Sequence, residues 1–129
     1  MIKIEKPPWK KQQKKKQRLK SKADKLWGIA IIKKWGGICY CNTKASLPHH
    51  FYPKGLYGHL RYDLDNGIPL CFGHHFAHHS RGDPQVHWNI IDTRGKPWFN
   101  RLKKKALTRP KASFQTQKFY EEIIIKLEE

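Results

Sequence analysis

At 129 residues the chain is long enough for one small domain and too short for two full cores. Hydrophobic residues at 38% and charged residues at 29% are lean for a compact fold, so an extended or weakly packed arm is expected, with metal substituting for missing core. Lys and Arg number 27 against 10 acids, a formal net charge of +17, which implies a polyanionic partner. Nothing resembles a signal peptide, and Ile29-Ala30-Ile31-Ile32, the longest apolar run near the N-terminus, is far too short to span a bilayer. Three cysteines, two of them one residue apart, suit metal ligation in a reducing cytoplasm better than a disulfide framework.

Residues 1–8 end in Pro7-Pro8 and are expected to be extended. From Trp9 to about Trp35 there is no proline or turn cluster, and Leu19, Leu26, Trp27, Ile31 and Trp35 recur near helical spacing. The first half, KKQQKKKQRLKSK, has almost nothing to bury. It reads as a solvated tail in the free chain or as a basic helix that orders on phosphate. Gly36-Gly37 stops the helix. Ile38 to Tyr52 reads as two short strands around Asn42-Thr43-Lys44, and 53–67 as a structured loop rich in Gly and Asp. Ile68-Pro69-Leu70 leads into a short helix from about Phe72 to His79. Asp83-Pro84 signals a helix from 84 to about 93 by its cap and proline. Lys96-Pro97 starts another through Leu107, and an amphipathic helix follows in the segment from Ser113. The expected division is a basic arm and helix (1–36), a metal-bearing core (37–82) and a helical extension (83–129).

The segment Cys39–His79 concentrates the chemistry. It holds all three cysteines, the pair His49-His50, Asn66, and five further histidines at 59, 74, 75, 78 and 79. Two groups of metal ligands embedded in a polycation point to phosphodiester chemistry. The plainer alternative is a zinc-stabilised nucleic-acid-binding protein without catalysis. A zinc deaminase is set aside. It needs a glutamate two residues after its histidine and a P-C-x-x-C run, whereas position 52 is Tyr and Pro69-Leu70-Cys71 breaks the run.

The run LPHHFYP…RYDLDNGIPLCFGHHFAHH resembles the HNH endonuclease family, with its ββα-metal fold, over residues 38–80. His50 matches the family's first histidine, Asn66 its asparagine and His75 its last histidine, with Asn66 nine positions before His75. The resemblance implies an α+β fold: a small ββα-metal core with a zinc-braced β-hairpin, a long basic N-terminal helix and C-terminal helices. It implies His50 as general base and a divalent ion, Mg²⁺ or Mn²⁺, held by His49, His75 and His79. Asn66 would hold the base's ring or pin the loop. Products would carry 5′-phosphate and 3′-hydroxyl ends. Many such proteins carry a bracing zinc, here Zn²⁺ on Cys39, Cys41, Cys71 and His74, although Cys39-x-Cys41 is tighter than the usual gap. His59 would lie in the loop and touch DNA, His78 would point away from the metal, and His87 reads as an ordinary helix residue.

Upstream, LKSKADKLWGIAIIKKWGGICYC is similar to the entry of the phage lambda-type NinG (Rap) recombination nucleases, and HHFYP and RYDLDNGIPLC echo further segments of that family. This implies a DNA endonuclease acting on branched recombination intermediates such as four-way (Holliday) junctions, in the bacterial host cytoplasm if phage-encoded. A junction-cutting enzyme needs two active sites, which implies a homodimer. A sequence-reading HNH nickase shares the same core. Lys14, Lys15, Lys16, Arg18, Arg61, Lys103 and Lys104 are the expected DNA contacts, and Trp9 is the tryptophan placed for stacking on bases.

Overall fold

The computed structural model describes residue 5 and residues 7–129. In chain order it contains α1 (Pro8–Lys34), β1 (Leu47–His50), β2 (Gly67–Leu70), α2 (Phe72–Arg81), α3 (Pro84–Arg94), α4 (Lys96–Leu107) and α5 (Gln117–Glu128). The two strands form one antiparallel hairpin, so the class is α+β. Among the described residues no helix is long and apolar enough to cross a membrane.

Internal packing divides the chain into two compact units: Met1–Leu26 with Lys111–Glu129, and Trp27–Pro110. These boundaries differ from breaks at 36/37 and 82/83. The last third of α1 and all of α3 and α4 belong with the hairpin because they carry its buried side chains. Trp27 and Ile31 come from α1, Val86 and Ile90 from α3, and Trp98 and Leu102 from α4.

The first unit places the basic stretch in helix from Pro8 onward, with proline in the first turn where its missing N–H costs nothing. Ala23, Tyr120 and Ile124 are its buried residues, and Lys22 pairs with Glu128 at 3.1 Å. The Thr116 hydroxyl caps α5 by accepting from the Phe119 N–H at 3.2 Å.

In the second unit, α1 ends at Gly36 and Gly37, whose φ values of 71° and 65° are the left-handed conformation that glycine adopts without steric cost. The expected strand pair around 42–44 is reduced to a single bridge, Ile38 to Lys44. Asn42, at φ 66°, closes so tight a turn there that no ladder fits. The true partner of β1 is β2, in the register Leu47–Leu70, Pro48–Pro69, His49–Ile68 and His50–Gly67. All four β2 residues are buried, and Gly67 is required: a Cβ there would overlap Ile31 and Trp27 of α1. Three indole N–H groups fasten the segment entering β2. Trp27 donates to Asp63 O (3.1 Å), Trp98 to Asp65 O (2.9 Å) and Trp35 to Gly67 O (2.8 Å). Five tryptophans in so small a chain are thus largely packing and bracing residues.

Candidate functional site

The tight reversal after α1 is what lets Cys39 and Cys41 act together. Cys39 N–H donates to Thr43 O and Asn42 N–H to Cys39 O, both at 2.9 Å, which folds the segment back on itself. Both thiols then converge on Cys71, which caps α2, and on His74 in its first turn. Cys39 Sγ and Cys71 Sγ lie 3.4 and 3.2 Å from His74 Nδ1, and Cys41 Sγ lies 3.9 Å from Cys71 Sγ. A tetrahedral zinc with Zn–S of about 2.3 Å and Zn–N of about 2.0–2.1 Å requires ligand separations of about 3.5–3.8 Å. The four residues therefore could hold a structural metal such as zinc, and the one-residue gap between the cysteines is no obstacle. The Tyr40 ring stacks on His74 at 4.5 Å and fixes its plane. The Thr43 hydroxyl, 2.9 Å from Cys41 Sγ, holds that thiol down to about 6, toward the thiolate a metal needs. Burial pushes the Cys39 thiol the other way.

A second group joins β1 to α2. Positions 75, 78 and 79 stand at i, i+3 and i+4 and so share one helix face. His49, almost fully buried, projects from β1 toward that face. Ring nitrogens of His49, His78 and His79 lie within 4.8 Å of one another, and His49 Nδ1 and His79 Nε2 are 3.1 Å apart. His78 is therefore inside the group and does not point away. His75 borders it, with ring centroids 5.7 Å from His49 and 4.5 Å from His79, and is not one of the three. The spacing from His75 to His78 was the sequence signal for this placement. Burial, then the neighbouring imidazoles, push His49 down to about 2 and hold His75 and His78 below the usual histidine range. All three are thus neutral near pH 7, with lone pairs to donate. His78 Nδ1 is buried without a hydrogen-bond partner, as expected where a ring is arranged for another ligand.

Among the described residues the three grouped ligands are all imidazoles, with the Asp83 carboxylate acting on His78 from beside them. Imidazole suits borderline ions such as zinc, nickel or iron, whereas Mg²⁺ takes oxygen ligands and keeps its waters. The donor set suits a zinc-type ion better than the Mg²⁺ or Mn²⁺ that the family resemblance implied.

His50, the next residue, turns to the opposite side of β1, as strand alternation requires. Its ring lies flat on Trp27, with centroids 3.9 Å apart and planes within 3°. Its Nε2 is 2.9 Å from Arg61 O. A carbonyl only accepts, so Nε2 carries a ring proton. The Asn66 side chain is bound to backbone groups of the loop. Fully buried, it accepts from Tyr52 N–H (2.7 Å) and donates to Tyr52 O and Leu60 O (both 3.1 Å). It is a positioning residue that pins both ends of the 52–66 loop and so fixes the carbonyl at Arg61.

The remaining expected contacts divide. Lys14, Lys15, Lys16 and Arg18 are exposed on α1, and Lys103 and Lys104 on α4. Arg61 is half-buried, its guanidinium 5.8 Å from the Tyr62 ring centroid. His59 lies 3.1 and 3.2 Å from Lys105 O and Ala106 O, so it ties the loop to the last turn of α4. His87 stacks on Phe51 at 4.4 Å, a packing role. Sequence reasoning missed Trp27 as the surface supporting His50 and the three-tryptophan brace, because neither leaves a spacing signal. Comparison with protein-family models, with curated proteins and with solved structures finds no match for this chain.

Proposed function

We propose that the chain is a metal-dependent DNA endonuclease of the HNH type that hydrolyses phosphodiester bonds, acting on branched recombination intermediates. One observation carries the reading. Consecutive residues at the end of β1 supply a buried imidazole in a three-histidine group and an imidazole whose tautomer a backbone carbonyl fixes. A metal-stabilised binding module has no use for the second.

His50 acts as the base. Arg61 O holds the Nε2 proton, so Nδ1 accepts a proton from a water as that water's oxygen attacks phosphorus. The 3′ oxygen leaves, giving 5′-phosphate and 3′-hydroxyl ends. Stacking on Trp27 keeps the ring from rotating between turnovers. His49, His78 and His79, with His75 beside them, would hold a divalent transition ion, which when bound supplies positive charge against the phosphate and the leaving oxygen. His49 and His78, held below the usual histidine range, keep lone pairs ready for it. Cys39, Cys41, Cys71 and His74 brace the hairpin. The excess of 17 positive charges recruits the DNA backbone, through Lys14, Lys15, Lys16, Arg18, Lys103 and Lys104 among others.

The test is cleavage of a labelled four-way junction beside a linear duplex of equal length, with Zn²⁺, Ni²⁺, Mn²⁺, Mg²⁺ or EDTA. Cutting of the junction supported by the transition ions and abolished by EDTA is expected. Equal cutting of both substrates would indicate a general nuclease. Tight binding with no cutting under any ion would replace the reading with a zinc-stabilised binding protein.

A further inference from the structure

The unit formed by Met1–Leu26 and Lys111–Glu129 contains a groove that the hydrolytic chemistry does not use. It is about 840 Å³, within the range of roughly 300–1,000 Å³ typical of small-ligand sites. One wall is a single face of α1, where Trp9, Gln13, Lys16, Gln17 and Lys20 recur at helical spacing; Tyr120 of α5 lies opposite. A second depression of about 470 Å³ shares Trp9, Gln13 and Lys16, so the indole borders both. Among the described residues no acidic side chain lines either one.

Trp9 is the anomaly. Trp9 (56% exposed) and Trp88 (57%) are both open to solvent, whereas Trp27 and Trp98 are buried, and of the two exposed rings Trp9 is the one set in a helix of lysines and glutamines. The Lys10 ammonium lies 5.5 Å from its ring centroid, and Lys14 and Lys16 follow one and two turns on. An exposed aromatic face among cations is the combination that binds single-stranded nucleic acid: bases stack on the ring while the cations track the phosphates. In an intact duplex each base is already covered by its neighbours, so the ring has nothing to stack on without unstacking a step. The glutamines add amides that can donate to and accept from any base edge, which favours occupancy without sequence choice.

We infer that this groove binds an unpaired nucleotide segment, with Trp9 as the stacking platform and Lys10, Lys14 and Lys16 as the phosphate contacts. The inference rests on the nuclease reading only for its biological setting. It narrows the substrate to DNA in which a single strand leaves a duplex, as at a flap, gap or opened junction.

The experiment uses the full chain, with fluorescence anisotropy on labelled single-stranded oligonucleotide, blunt duplex and flapped duplex. Trp9→Ala, Trp9→Phe and the triple Lys10→Gln, Lys14→Gln, Lys16→Gln variant are compared, each checked for helix content by circular dichroism. Base stacking contributes about 1–3 kcal/mol per base, so Trp9→Ala should weaken single-strand and flap binding by roughly 5- to 150-fold. Blunt-duplex binding should stay within about 2-fold, Trp9→Phe should recover much of the loss, and the triple variant should flatten the salt dependence. The inference is overturned if Trp9→Ala binds single strand like the parent, if it weakens duplex equally, or if poly-glutamate displaces the oligonucleotide as well as unlabelled single strand does. Failure of the two readings is separable. A chain that cuts flapped and blunt DNA alike, with Trp9→Ala unchanged, refutes the groove alone. One that binds single strand through Trp9 but never cuts refutes the nuclease alone.

Discussion

Asn66 shows how a residue expected at the chemistry can act one step behind it. Its buried side chain meets three backbone groups, at Tyr52 and Leu60, inside the loop. Replacing it with alanine strands those groups, each at a cost of about 1–3 kcal/mol. Asn66→Ala should therefore lose at least about 3 kcal/mol in urea unfolding, and a loss under about 1 kcal/mol would contradict the bracing role. Cys71 makes a different kind of claim. Its sulfur stands between Cys41 and His74, so Cys71→Ser should reduce bound zinc and thermal stability together. An unchanged zinc-to-protein ratio by elemental analysis would remove that site.

At the scale of elements, the salt bridges that join α4 and α1 to the segment entering β2 make a prediction about acid. Burial pushes the Asp65 carboxyl up, but the ammonium groups of Lys105 (3.1 Å) and Lys34 (3.4 Å) outweigh it and hold the group below the usual carboxylate value of 3.8. A lowered folded-state value means the stabilisation is complete above the unfolded value and is lost as pH falls through the folded one. Lys105→Met should thus cost about 0.5–1 kcal/mol near pH 7, since the ammonium is largely exposed, and the difference from the parent should shrink below pH 4. A difference that stays constant into acid would contradict the pairing. Elements with local signals were legible beforehand. Gly36-Gly37 ended α1, Asp83-Pro84 started α3 and Lys96-Pro97 started α4, because caps and breakers act within a few residues. The pairing of β1 with β2 was not legible: it joins residues about twenty apart, and Gly67-Ile68-Pro69-Leu70 has no alternation to mark a strand. The same reason governs the site. The Cys39, Cys41, Cys71 and His74 group was legible through the family resemblance, since Cys39-x-Cys41 departs from the usual ligand spacing. The exchange of His78 for His75 depended on how the face of α2 turns toward His49, and the contact of Trp27 with His50 depended on helix-to-strand packing.

For the whole molecule, charge and metal chemistry meet in one expectation about DNA. With an excess of 17 positive charges, binding should weaken steeply and linearly on a plot of log affinity against log salt. A flat response would argue against backbone contacts as the source of affinity. On the proposed nuclease reading, cutting depends on two adjacent histidines with different duties, one in the histidine group and one held as a base. The measurement that tests this most directly is cleavage rate, DNA affinity and metal content for His50→Ala beside His49→Ala. The account expects His50→Ala to lose roughly 10²- to 10⁴-fold in cleavage while keeping its DNA affinity and both metal equivalents, and His49→Ala to lose one equivalent. A His50→Ala protein that cuts at the parent rate, or that loses metal along with activity, would contradict the division of labour.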